Sequence, residues 1–313
     1  MKILITGIHG FVGSNLVQEL SKIHDIYGLD IINPQRDGVI KTFNWEDLKE
    51  RKLPQCDVII HLAGKAHDTK NVSLAEDYFK VNTELTKIIF DFFVKSSSKI
   101  FIFFSSIKAA VDHSADVVTE EVDPKPIGPY GESKIKAEEY ILSKRELLDK
   151  EKKYYILRPC MIHGPGNKGN LNLLYNFVKK GIPYPLGKYD NQRSFTSIDN
   201  LKYIIKRIID DSIASGIYNV GDDEPISTND LVDIISTTMN KKPRIWKFPK
   251  SLITLVAKIS DIFRLPLTSE RLEKLTENYV VSNSKIKKAL GVTSLPVKAK
   301  DGLKSTIKYF NEQ

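Results

Sequence analysis

Continuously apolar runs alternate with segments of helical period through the first half of the chain. Ile3 to Ile5, Ile26 to Asp30, Asp57 to His61, Ile100 to Phe104 and Tyr154 to Leu157 are short and almost wholly apolar. That is the pattern of strands covered on both faces. Between them, Phe11 to Ile23 carries Phe11, Val12, Leu16, Leu20 and Ile23 at helical spacing. Ala75 to Lys95 does the same with Val81, Leu85, Ile88, Ile89, Phe92 and Phe93. Tyr130 to Leu148 reads as a further helix, Val39 to Phe43 as a short strand and Trp45 to Lys49 as a helical turn. Apolar strands alternating with helices predict an α/β fold whose parallel sheet is covered on both sides.

After Arg158 the pattern changes. Arg158 to Gly169 is rich in Pro and Gly, so the chain leaves the sheet to build a lobe. Helical patterns recur at Leu171–Lys180, Ile198–Ile209, Ser227–Met239, Lys250–Phe263 and Lys300–Phe310, with Ser227 and Asp230 as N-cap and first-turn acid. Ile217 to Val220 reads as a strand returning to the main sheet, which interleaves the lobes in sequence. The expected division is a sheet domain at 1–163, joined by a strand near 216–221, and a smaller lobe at 164–313.

Punctuation at the strand ends supplies the candidate chemistry. Gly7, Gly10 and Gly13 follow the first strand and open the first helix. Free helix-start amides and the helix dipole make that turn a phosphate cradle, provided no Cβ blocks the approach. Asp30 ends the second strand where dinucleotide folds place an acid for the adenosine ribose, and an acid there repels the extra phosphate of NADP. Leu62-Ala63-Gly64 lets a ligand approach the backbone, and Ser105-Ser106 ends the strand at Phe104. Tyr130 and Lys134, four apart on a helix, share a face. A free phenol has a pKa near ~10, and a lysine cation beside a positive nicotinamide ring is expected to lower it into catalytic use.

Composition changes little in this picture. With 313 residues, 41% hydrophobic and 27% charged, the chain is an ordinary globular one. Its +8 charge comes from lysines spread along its length, which favours a small anionic ligand and does not form a nucleic-acid stripe. Cys56 and Cys160 read as buried free thiols of a reducing compartment. No targeting segment precedes the first strand, and Ser251–Phe263 is too short to span a bilayer, so the expectation is a cytoplasmic protein. The basic, apolar stretch Lys241–Lys258 has the composition of a membrane-surface segment; we read it instead as a lobe helix packed on the sheet with its lysines in water. His9, His61, His67 and His163 lack metal-site spacing and read as structural residues around the cofactor turns, with no metal expected.

Together these features resemble the extended short-chain dehydrogenase/reductase family, the NAD-dependent nucleotide-sugar epimerases and dehydratases, of the UDP-glucose 4-epimerase kind. Thr6-Gly-x-x-Gly-Phe-Val-Gly13, Asp57-Val-Ile-Ile-His-Leu-Ala63, Phe104-Ser-Ser106, Tyr130-x-x-x-Lys134, Leu157-Arg-Pro159 and Gly164-Pro-Gly166 fall in the family's order. Lys-Val-Asn82-Thr, Arg193 to Asp199 and Asn283 to Gly291 resemble further family segments. The resemblance implies a Rossmann doubly wound sheet binding NAD, with a substrate-binding lobe after it. It implies Tyr130 as acid/base, Lys134 as its partner and a ribose ligand, and Ser106, rather than Ser105, on the reacting oxygen. Gly7, Gly10, Phe11, Val12, Gly13, Asp30, Leu62, Ala63, Lys65 and Asn82 would line the dinucleotide. Asn170, Arg193 and, less strongly, Arg271 would hold the nucleotide diphosphate.

One departure is informative. Family dehydratases carry an Asp-Glu pair just after the catalytic serine or threonine, and here Ile107 and Lys108 stand there. The Ser-Ser-Ile-Lys variant resembles a bacterial subgroup acting on N-acetylated hexose nucleotides in surface-polysaccharide pathways. The expected reaction is 4-epimerisation of a UDP-hexose or UDP-N-acetylhexosamine through a 4-keto sugar, the alternative being 4-keto reduction. A non-catalytic dinucleotide sensor would ordinarily lose the Tyr or Lys. The resemblance also implies a homodimer paired through the Ala75–Lys95 and Tyr130–Leu148 helices.

Overall fold

The structure is a computed structural model that describes residues 1–65, 74–114, 116–167, 169–211, 213–263 and 268–313. Its first half is built from β1 (Lys2–Thr6), α1 (Phe11–Leu20), β2 (Asp25–Leu29), β3 (Lys41–Phe43), α2 (Trp45–Lys49) and β4 (Val58–His61). A capping box starts α2: the Asn44 side chain accepts from the amides of Glu46 and Asp47, and Asp47 accepts from the Asn44 amide. The predicted helix over 75–95 is α3 (Ala75–Tyr78), a π-helical turn (Phe79–Glu84) and α4 (Leu85–Lys95) in continuous succession. Then come β5 (Ile100–Phe104), α5 (Gly128–Ser143) and β6 (Lys153–Pro159). Helix α5 begins two residues before the expected Tyr130, on a Gly-Pro pair, and gives way to a 3₁₀ turn at Arg145–Leu147.

The second half contains β7 (Met161–His163), α6 (Asn170–Lys179), β8 (Phe195–Ser197), α7 (Ile198–Asp211) and β9 (Gly216–Val220). It ends with α8 (Thr228–Thr238), α9 (Lys250–Phe263), α10 (Ser269–Thr276), α11 (Ser284–Ala289) and α12 (Ala299–Glu312). Among the described residues, seven strands form one sheet in the order β3-β2-β1-β4-β5-β6-β9, every pair parallel. This is the doubly wound Rossmann order with one strand added beside β6. That added strand lies at Ile217 to Val220, where the sequence placed it. Strands β7 and β8 pair separately beside the main sheet.

Alternation along each strand explains why the runs are apolar throughout. Ile3 and Ile5 face a core shared with α1 and α7, through Leu16, Leu20, Leu201 and Ile205. Leu4, between them, faces α4 and α5 through Phe90, Phe93 and Ala137. Each fully buried Ile or Phe is worth roughly 1.5–3 kcal/mol relative to exposure, so a charge on either face of these strands would be costly. A separate core joins α6, α8 and α12 through Leu171, Ile235 and Leu303. Among the described residues no helix is long and apolar enough to cross a membrane. Helix α9 departs from the sequence reading: it packs through Ile253 and Ala257, yet a second apolar stripe along it stands in water.

Candidate active site

The parallel register brings Thr6, His61 and Phe103 side by side, so the turns after β1, β4 and β5 meet at one sheet edge. In the first turn Gly7 has φ +66°, and a Cβ on it would lie 2.9 Å from the Ala63 amide. A Cβ on Gly13 would lie 2.6 Å from the carbonyl oxygens of Gly7 and Ile8, so this glycine sets how closely α1 approaches β1. Gly10 meets only the Gly7 carbonyl, at 3.2 Å, and is the N-cap of a helix that no side chain caps. The first-turn amides of Phe11 and Val12 are thereby left to a ligand or water. Asp30 is pinned beside this turn, accepting from the His9 amide at 3.1 Å and the Ile31 amide at 2.7 Å. The Phe11 ring packs under Gly164 and Gly166, and Asn15 donates to the Pro165 carbonyl at 3.0 Å.

A buried chain of hydrogen bonds ties the glycine turn to the π-helical turn. The Ala63 amide donates to Thr6 Oγ1, which bonds His61 Nδ1 at 2.7 Å; His61 Nε2 bonds Thr86 Oγ1, and Thr86 donates to the Asn82 carbonyl. The Thr86 hydroxyl spends its proton on Asn82, so it accepts from His61, which fixes the Nε2–H tautomer and leaves Nδ1 to accept from Thr6. Burial, reinforced by the Lys134 charge, pushes the His61 pKa down to about 3. This histidine is therefore a neutral strut. His163 is likewise buried, bonded to Thr306 at 2.9 Å.

Asn82 is the joint of the site. Its side chain accepts from the Lys65 amide at 2.7 Å and donates to the Lys65 carbonyl and to Ser133 Oγ, which donates to the Tyr130 carbonyl. Lys65 itself pairs with Asp77 at 2.8 Å. A Cβ on Gly64 would sit 3.0 Å from Asn82 Oδ1 and 3.1 Å from Lys134 Nζ, so these three crowd one spot. Single π-helical turns occur often at functional sites, and this one sets Asn82 among the other groups.

Ser106, Tyr130 and Lys134 come together as the sequence implied. The Ser106 hydroxyl hydrogen-bonds the Tyr130 phenol, and the Tyr78 ring lies edge-on to Tyr130 at 6.2 Å. Lys134 is buried, with Nζ donating to the Phe104 carbonyl at 2.8 Å above the Phe103 ring. Burial pushes its pKa down to about 8 against the opposing charge of Glu138. In the protein alone, burial raises the Tyr130 pKa, outweighing the Ser106 bond that lowers it. Its neighbours are the Ser106 hydroxyl and the Tyr78 phenol, and desolvation disfavours the phenolate.

Ser105 points elsewhere. It donates to Glu138, whose carboxylate takes Nε and Nη2 of Arg158 at 2.6 to 3.1 Å, with all three groups buried. A buried ion pair gains stability only when its remaining valences are filled, which Ser105 helps to do. Glu138 went unread in the sequence, although it lies one turn beyond Lys134 on the same helix.

The lobe side is set by backbone pairing of Arg193 with Ile226 and Tyr279. Glu277 lies between Arg193 Nη2 at 3.7 Å and His113 Nδ1 at 2.6 Å. Tyr279 donates to the Val111 carbonyl at 2.7 Å, and Lys108, paired with Asp112, lies over its ring. Sequence reasoning found Arg193 but not Glu277 or Tyr279, which no motif marks. Asn170 is exposed at the start of α6, and among the described residues its side chain makes no hydrogen bond. His67 and the Arg271 side chain lie outside the described residues.

Residues 3–221 match the family model of the NAD dependent epimerase/dehydratase family. The chain is 31% identical to a UDP-glucose 4-epimerase of Vibrio cholerae, over 98% of this chain and 95% of the relative. It is 27% identical to the N-acetyl-alpha-D-glucosaminyl-diphospho-ditrans,octacis-undecaprenol 4-epimerase of Escherichia coli O157:H7, over 93% of this chain and 86% of that one. Its fold superposes on the crystal structure of UDP-glucuronic acid 4-epimerase from Bacillus cereus in complex with NAD. That match has a TM-score of 0.76 at 20% identity and covers 100% of this chain and 99% of the other. The chain belongs to the NAD dependent epimerase/dehydratase family and is an NAD-dependent enzyme.

Proposed function

We propose that the enzyme is a 4-epimerase of a UDP-linked hexose or N-acetylhexosamine, acting in the cytoplasm for surface-polysaccharide synthesis. The observation that carries this reading is the Ser106–Tyr130 hydrogen bond with Lys134 beneath the same turn. Ile107 is buried and Lys108 is engaged by Asp112, so no acid follows Ser106 to expel water from the sugar. Both 4-epimerase relatives support the choice of carbon.

The residues present fit NAD. Gly10 and the uncapped amides of Phe11 and Val12 would hold its pyrophosphate, Gly7 and Gly13 keeping α1 close. Asp30 would accept from the adenosine ribose, while Leu62, Ala63, Lys65 and Asn82 line the remainder. When bound, oxidised NAD supplies the hydride acceptor and a positive charge beside the phenol. Tyr130 takes the proton of the C4 hydroxyl as C4 becomes a ketone, and later returns it. Ser106 holds that oxygen in line with the phenol, and Lys134 bears the charge that makes the phenolate affordable. Arg193 and Asn170 hold the diphosphate, which frees Arg193 from Glu277.

Tyr130→Phe should lower turnover by roughly a thousandfold while leaving NAD binding within a few-fold, since only the proton carrier is lost. A panel of nucleotide sugars, read by mass spectrometry, should show interconversion without added cofactor. Stoichiometric consumption of reduced nicotinamide by a 4-keto sugar would instead establish a 4-ketoreductase. Unchanged activity in the phenylalanine variant would remove the mechanism in either case.

A further inference from the structure

Helix α9 is apolar on two sides. Ile253 and Ala257 are buried with Ser260 on the inner side. Leu252, Leu255, Val256, Ile259 and Phe263 recur every three or four residues and make a second, exposed stripe, with Leu255 at 55% and Phe263 at 69%. The segment leading into α9 is fixed by backbone bonds from Tyr184 to the Arg244 carbonyl, from Trp246 to Tyr184 and from Gly187 to Trp246. From it Trp246, 52% exposed, and Phe248 stand out with their rings edge to face at 5.7 Å. Leu275 adds to the exposed apolar surface on α10, which packs against α9.

The same stretch of chain is strongly basic. Residues 241–263 hold six basic side chains, Lys241, Lys242, Arg244, Lys247, Lys250 and Lys258, against one acid, Asp261. All six are exposed, while Asp261 accepts from the Ser269 amide and hydroxyl. This single stretch therefore carries +5 of the chain's +8. Exposed apolar stripes this continuous mark a docking surface. Two copies of the face would bring like charges together, so its complement is anionic. A partner that accepts a helix side-on, solvates Trp246 at a polar boundary and presents phosphates to lysines is a lipid surface.

We propose that this face docks α9 on an anionic lipid bilayer, its stripe and Trp246 in the headgroup boundary and its lysines on the phosphates. Helix α10 leads from the face to Glu277, the partner of Arg193, so the docked side adjoins the lobe's anion-holding groups. The proposal does not depend on the epimerase reading, because vesicle binding and turnover are measured separately.

The test uses the full chain, sedimented with vesicles of phosphatidylglycerol and phosphatidylethanolamine or of phosphatidylcholine alone. Binding should appear on the anionic vesicles at about 0.1 M salt and weaken at least tenfold, by rough estimate, on neutral vesicles or at about 1 M salt. Tryptophan emission should shift to the blue, and a Trp45→Phe variant should keep the shift. Leu255→Asp with Ile259→Asp should reduce binding about tenfold and leave turnover of a soluble nucleotide sugar within about twofold, since both side chains are exposed. Trp246→Ser, a second variant, should weaken binding and abolish the shift. Absence of binding to the anionic vesicles, or equal binding by the paired variant, overturns the proposal. So does self-association that Leu255→Asp removes in a protein that ignores vesicles, which would give the face to a second copy.

Discussion

Burying the Lys134 ammonium has a consequence for stability that can be signed. Its pKa falls from 10.5 to about 8 on folding, so between those values the unfolded chain binds the extra proton. Stability therefore rises as pH climbs from 8 toward 10.5, and the full penalty, about 3 kcal/mol, stands below pH 8. Lys134→Met should be inactive yet within about 2 kcal/mol of the parent at pH 7, because the lost bond to the Phe104 carbonyl offsets the relieved charge. It should also lose the rise with pH, read as urea midpoints at pH 7 and about 9.5. A variant retaining that rise would show that Lys134 is not its source. Tyr130, Lys134 and Ser106 were legible because helical spacing and a strand end place them without knowledge of the rest. The burial that raises the Tyr130 pKa was not legible, since it depends on neighbours such as Tyr78 that are remote in sequence. Glu277 was hidden for the same reason, its partners lying far along the chain at Arg193 and His113.

Between elements, contact distance is set by what is missing. Adding a methyl at Gly13 would press on two backbone carbonyls at 2.6 Å, neither of which can rotate away. Gly13→Ala should thus lift α1 from β1, costing about 1–3 kcal/mol and weakening NAD binding by an order of magnitude or more. Thermal denaturation and calorimetric titration with NAD would measure the two effects, and unchanged affinity would dissociate the helix start from the cofactor. The strands and α1 could be read because their apolar periods are unambiguous. The π-helical turn could not, since Val81, Leu85 and Ile88 keep a helical rhythm across it; only the hydrogen-bond step widens. Helix α10 escaped because its eight residues carry just two leucines among polar ones.

At the scale of the molecule, the sheet is completed out of order. Strand β9 pairs with β6 from Tyr155↔Gly216 to Pro159↔Val220, although β7, α6, β8 and α7 lie between them in the chain. The sequence showed a returning strand through its short apolar run, and the Pro/Gly-rich loop after Arg158 marked where the chain departs. A fragment of residues 1–163 leaves the β6 edge open, with Tyr155, Ile156 and Leu157 buried in the whole protein. It should aggregate on expression, whereas the full chain stays in solution; a monodisperse fragment with cooperative unfolding would contradict this. The same feature bears on biosynthesis. Strand β9 leaves the ribosome roughly sixty residues after β6, which at about 5–20 residues per second is a delay of several seconds. Throughout that interval the nascent chain holds a nearly finished sheet whose β6 edge is still unpaired. Yield in the cell should therefore track translation speed across residues 160–220 and the supply of chaperones able to shield that edge.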